Sequence, residues 1–140
     1  MSSTLFTPYK LGPVTLRNRT IRSAAFESMG KDFGPTRQLK DYHVAVARGG
    51  VGMTTLAYAA VCRSGLSFNK QLWLRPEIVP GLREITDAVH REGAAAAIQI
   101  GHCGNMTHWT TAGQMPIGAS TGFNLYAYTP CLLYTSPSPR

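Results

Sequence analysis

Apolar and polar positions follow two rhythms along the chain, and they lay out a hairpin followed by repeating strand and helix units. At the start, Tyr9-Lys10-Leu11-Gly12-Pro13-Val14-Thr15-Leu16 sets a Gly-Pro turn between two short extended segments, a hairpin signal. Ile21 to Phe26 reads as a short apolar strand. After the loop around Gly34-Pro35, Thr36 is placed to cap a helix in which Leu39, Tyr42, His43, Val46 and Ala47 recur at helical spacing. Gly49-Gly50 stops it. Val51 to Val61 is apolar and β-branched without strict alternation, as expected of a parallel strand covered on both faces. A polar loop follows, and Pro80 then opens a second amphipathic helix, with Leu82, Ile85 and Val89 inward and His90 beside them. Arg83, Glu84, Asp87 and Arg91 face water, and Gly93 ends the helix. Ala94 to Ile100 is the third buried strand.

A hairpin followed by β-α-β-α-β with short connections implies right-handed crossovers and a parallel sheet, hence an α/β fold. A doubly wound sheet would carry a phosphate-binding turn such as G-x-G-x-x-G after its first strand, and none follows Ile21 to Phe26. A (β/α)8 TIM barrel needs no such turn and places function in the loops after its strands. At about 250 residues for the whole barrel, this chain supplies the hairpin and about three βα units, a partial barrel.

With 140 residues, 44% of them hydrophobic, the chain has the size and apolar content of one domain. No apolar run approaches the roughly 20 residues of a membrane span, and MSSTLFTPYK lacks the layout of a signal peptide, so the expected compartment is the cytoplasm. Cys62, Cys103 and Cys131 are odd in number and far apart, which fits reduced thiols. The net charge of +7 raises the question of nucleic acid, but the basic residues occur singly among acids, with no aromatic interleaving to stack bases. Neither nucleic acid nor membrane is expected as a partner. His102, Cys103 and His108 suggest a metal site only weakly, since H-C-x4-H lacks a fourth ligand and a second-shell acid. Cys103 beside His102 is a poor nucleophile pair, because adjacent residues on an extended segment point apart.

Leu5-Phe6-Thr7-Pro8-Tyr9-Lys10-Leu11-Gly12, followed by Thr15-Leu16-Arg17-Asn18-Arg19, resembles the opening of the Old Yellow Enzyme family of NAD(P)H:flavin oxidoreductases. The likeness continues in order through Tyr42-His43, Ala47-Arg48-Gly49-Gly50-Val51-Gly52, Ala94 to Gly104 with Gln99 and His102, and Pro116-Ile117-Gly118-Ala119-Ser120. It implies an FMN-dependent enzyme of TIM-barrel fold that takes hydride from NAD(P)H and passes it to an activated alkene or similar small molecule. The hairpin would close the barrel floor, with the asparagine and arginine of Leu16-Arg17-Asn18-Arg19 as a polar plug against backbone. The resemblance assigns cofactor contacts to Gln99, whose amide offers a donor and an acceptor to the flavin pyrimidine edge, and to Ser23 and Ala24 along the flavin ring. Ala60 matches a small residue that leaves room beside it.

The sequence also departs from the family. Ala24 stands where Pro is frequent, Phe26 near a Thr or Cys that adjusts flavin potential, and Asn105 where Arg is frequent. The substrate-binding His/His or His/Asn pair, the proton-donating Tyr and the phosphate-binding Arg and Gly of the family belong to later strands and loops. No catalytic or metal-binding residue is therefore assigned, and the expectation is an inactive N-terminal fragment, over residues 1–130, of the barrel of a longer enzyme for which a homo-oligomer stays open. From Cys131, the run Cys-Leu-Leu-Tyr-Thr-Ser-Pro-Ser-Pro-Arg is similar to the conceptual translation of a transposase-type sequencing adapter, so residues 131–140 are expected to be a non-native tail. Two rival readings stay open, a non-catalytic α/β interaction module and another TIM-barrel enzyme such as an aldolase or metal-dependent hydrolase.

Overall fold

The computed structural model describes residues 3–125 and 128–133. Strands β1 (Tyr9–Leu11) and β2 (Val14–Leu16) form the expected antiparallel hairpin, with Leu11 opposite Val14. The following residues clamp the hairpin to the rest. Helix α1 (Arg37–Arg48), strand β4 (Met53–Ala60) and helix α2 (Val79–Arg91) converge at this end of the molecule. There the Arg17 guanidinium donates to the carbonyls of Ala47, of Val51 at 2.9 and 3.0 Å and of Glu92 at 2.8 Å. A cation at two helix C-termini meets both the unpaired carbonyls and the negative ends of the dipoles. Asn18 donates to Gly50 O at 2.7 Å and accepts from the Thr20 amide at 3.0 Å. The polar plug is thus Arg17 with Asn18. Arg19 lies instead over the Tyr9 ring, 4.9 Å from its centroid.

Thr36 caps α1 as its position suggests: its Oγ1 accepts from the Leu39 amide at 3.2 Å and donates to Met29 O at 2.6 Å. The helix turns Leu39, His43 and Ala47 into the core and ends at Gly49, after which Gly50 takes a left-handed φ of 99°. In α2, Ile85, Ala88 and Val89 are buried, whereas His90 is exposed, about 100° around the helix from Val89. The expectation that His90 sits with the inward face is corrected accordingly.

Strand β3 (Ile21–Arg22) pairs parallel with β4 at Met53–Thr54, and β6 (Ala95–Gly101) pairs parallel with β4 along nearly its whole length. The expected strand through Phe26 is cut short at Arg22, because the chain beyond leaves the ladder and Ser28 adopts a φ of 55°. A two-residue strand inside the expected polar loop, β5 (Leu72–Trp73), pairs parallel with Ala59–Ala60. It occupies the edge of β4 that β3 has vacated. Leu39, Ala47, Leu56, Ala59, Leu72, Ile85, Val89 and Ala94 form the core between helices and sheet. The fold is α/β, a parallel sheet with β-α units, and the sheet is not closed into a barrel.

Beyond β6 the short helix α3 (Trp109–Ala112) leads to a small sheet of β7 (Ile117–Gly118), β8 (Gly122–Asn124) and β9 (Thr129–Leu133). Cys131 to Leu133, the first residues of the expected tail, lie in β9, and Cys131 is buried. Residues 134–140 of that tail lie outside the described residues, as does Tyr126. Among the described residues no helix is long and apolar enough to cross a membrane.

Candidate cofactor cavity at the strand ends

In a parallel sheet the C-terminal strand ends share one side, and the candidate residues stand near it. Ser23 and Ala24 follow β3, Ala60 ends β4, and Gln99 stands two residues before the end of β6. A cavity of about 470 Å³ opens at these ends, walled by Tyr58 of β4, Ser67 and Phe68 of the next loop, and Gln99 to Cys103 of β6 and its exit. Gln99 is exposed to it, and among the described residues its amide makes no hydrogen bond. A donor and an acceptor are therefore free on one planar group. Ser23 is exposed and Ala24 half-buried near the same strand ends, but neither lines this cavity. Ala60 is fully covered and contributes through its lack of bulk.

Several wall residues carry no signal in the sequence. Phe26 stacks on Phe68, ring centroids 4.9 Å apart, and meets Tyr58 at 5.5 Å. The residue standing near the family's Thr or Cys thus braces an aromatic wall. Burial, with Cys103 adding to it, pushes the Tyr58 hydroxyl up to about 12, so it remains a hydrogen-bond donor near neutrality. Gln71, itself fully buried, holds the loop in place by accepting from the Ser67 amide at 2.8 Å and the Phe68 amide at 3.3 Å.

Behind the loop that carries Ser23 and Ala24 lies a charged cluster. Glu27, with its side chain 2% exposed, sets Oε1 2.8 Å from Arg22 Nη1 and 3.4 Å from His43 Nε2, the latter close enough for attraction but outside hydrogen-bond geometry. Its Oε2 accepts from the Ala57 amide at 3.1 Å. His43 Nδ1 shares a hydrogen with Thr54 Oγ1 at 2.8 Å, and Arg22 donates to Thr55 O at 2.7 Å. Burial by itself would raise the Glu27 carboxyl, but interaction with His43 and the backbone hydrogen bonds outweigh it and hold the group below its ordinary range. The cluster joins β3, its exit loop, α1 and β4, and so fixes where Ser23, Ala24 and Phe26 stand.

His102 Nε2 turns to Ser64, and His108 Nδ1 takes Thr110 Oγ1 at 2.7 Å. Among the described residues no three His, Cys, Asp or Glu gather around one point. What the fold and cavity define is an α/β unit with a parallel sheet and a partly apolar site at its strand ends. The chain belongs to the NADH:flavin oxidoreductase / NADH oxidase family, whose profile matches residues 4–131. It is 48% identical over 100 residues to the 4,4'-dithiodibutanoate disulfide reductase of Rhodococcus erythropolis, covering 71% of this chain and 25% of that protein. It is 38% identical over 106 residues to the NADPH dehydrogenase of Listeria welshimeri, covering 73% of this chain and 31% of that one. A 2-naphthoyl-CoA reductase structure aligns over 94% of this chain and 22% of its own with a TM-score of 0.87 at 23% identity, a likeness of fold. The chain thus spans about a sixth to a third of the length of the curated relatives it matches.

Proposed function

We propose that residues 1–130 form the N-terminal part of the FMN-binding barrel of an oxidoreductase that moves hydride from NAD(P)H through FMN to a small acceptor. The observation that carries this reading is Gln99, a strand-end amide with free donor and acceptor groups, facing a cavity with aromatic walls. Such a group suits the pyrimidine edge of an isoalloxazine, and a flat apolar wall suits its ring. Ser23 and Ala24 would lie along that ring, and Ala60 would leave it room. Bound FMN supplies hydride acceptance and donation at its N5. The residues of this chain bind and orient the ring and exclude water from one side of it. An activated alkene is the proposed acceptor class, and the disulfide reductase among the relatives adds disulfides to it.

We further propose that the 140-residue chain alone neither holds FMN tightly nor turns over, because the phosphate and substrate contacts belong to later strands of the family. The β6 edge is also unpaired on its outer side among the described residues. Residues 131–140 are proposed to be a non-native tail, supported by the likeness of that run to the translation of a sequencing adapter. Titration of the chain with FMN, followed by NADPH oxidation with an enone acceptor, tests this; micromolar binding with sustained turnover overturns it. In the full-length enzyme that carries this segment, Gln99→Leu should weaken FMN binding by about 1–3 kcal/mol or shift its potential, since the flavin edge would lose its partner. Unchanged affinity and potential would remove Gln99 from the site.

A further inference from the structure

A second cavity, of about 630 Å³, lies beside the first and shares His102 with it. Cys62, Ser64 and His102 make one wall, and Gln114 with Ile117 to Ala119 the other. The three polar side chains are linked in series: Cys62 Sγ is 3.0 Å from Ser64 Oγ, which is 3.1 Å from His102 Nε2. The direction of the chain follows from its far end. His102 Nδ1 accepts the Gly104 amide hydrogen at 2.9 Å, so in the neutral ring the proton sits on Nε2 and is donated to Ser64. The Ser64 hydroxyl then has its own hydrogen free for the Cys62 sulfur. Gly65 makes this approach possible, because a Cβ there would stand 2.9 Å from His102 Cδ2.

We propose that Cys62 is a thiol–disulfide exchange site for small uncharged disulfides, organised by the Ser64–His102 pair and independent of flavin. A donor aimed at sulfur suits the thiolate, the form in which cysteine attacks. Among the described residues the lining carries no acid, lysine or arginine, and its far wall is largely apolar, which selects an uncharged ligand. In the step, Cys62 gives its proton to solvent, its thiolate attacks one sulfur of R–S–S–R, and a new Cys62–S–S–R bond forms as the original S–S bond breaks. The other half leaves as RS⁻ with the bonding electron pair and takes a proton from solvent. Cys62 is oxidised, the departing half is reduced, and excess thiol reverses the step.

The test is mass spectrometry of the purified 140-residue chain treated with hydroxyethyl disulfide, with no flavin or nicotinamide present, and with peptide mapping of Cys62, Cys103 and Cys131. Failure here is therefore separate from failure of the flavin reading. Cys62 should form the thiol-reversible adduct about tenfold faster than the similarly half-buried Cys103, and Ser64→Ala and His102→Gln should each slow it about tenfold. Cys62 reacting no faster than Cys103 overturns the proposal, as does an unchanged Cys62 rate in both variants. Should one variant unfold, seen as Cys103 and Cys131 reacting as fast as in urea, the other variant and the wild-type comparison decide.

Discussion

Glu27→Gln removes the negative charge from the buried cluster behind the loop that carries Ser23 and Ala24, while keeping its shape and an oxygen for the Ala57 amide. At 2.8 Å from Arg22, the attraction lost is about 6 kcal/mol at an effective dielectric of about 20, before desolvation is counted. Desolvation opposes much of it, since Glu27 is 2% and Arg22 16% exposed. Arg22 also keeps the Thr55 carbonyl, so the charge is not wholly orphaned. The net loss should be about 2–3 kcal/mol, rising to about 3–5 for Glu27→Leu, which also strands the Ala57 amide. The pH dependence gives a sharper reading. The folded-state carboxyl lies below its ordinary value of 4.5, so its contribution is fully present above that pH and is lost as pH falls through the folded value. Urea unfolding of wild type and Glu27→Gln should therefore show a gap near neutrality that closes in the acid range below 4.5. A gap that is absent, or that persists unchanged into acid, would refute the assignment of Glu27 as an ionised, stabilising group.

Arg17→Met should cost about 2–4 kcal/mol in the same urea experiment, because the carbonyls of Ala47, Val51 and Glu92 lose their shared donor; Arg19→Met, which removes only a stacked cation, should cost less than about 1 kcal/mol. Equal losses would contradict the account of the floor. Gly65→Ala should destabilise by about 1–3 kcal/mol through its clash with the His102 ring, and it should slow disulfide capture at Cys62 while leaving Cys103 unchanged. A thermal melt and the adduct map together check both effects.

How far these features can be read in the sequence depends on the distance over which their causes act. Helix α1 is legible to the residue at its start because Thr36, the apolar stripe and Gly49-Gly50 all act within a turn or two. Strand β3 is not, since Ile21 to Phe26 is apolar enough for a full strand and only contacts with Thr55, Ala57 and His43 pull its second half away. For β5 the difficulty is different: two residues carry no period, and their pairing depends on the edge that β3 leaves open. In the candidate site, Gln99 is legible because the sequence around it resembles a known strand end. The Cys62–Ser64–His102 chain is not, because it exists only once β4 and β6 lie side by side and bring positions 38 residues apart within 3.1 Å. One local sign of the Glu27 cluster was present. His43 stands in an otherwise apolar stripe, and a titratable group carried into the core requires partners. Glu27, one acid beside an apolar strand, and Thr54, a hydroxyl in a buried one, were the complementary irregularities. An acid beside one strand, a histidine on the next helix and a hydroxyl in the strand after it are thus polar residues out of pattern that belong to one buried network.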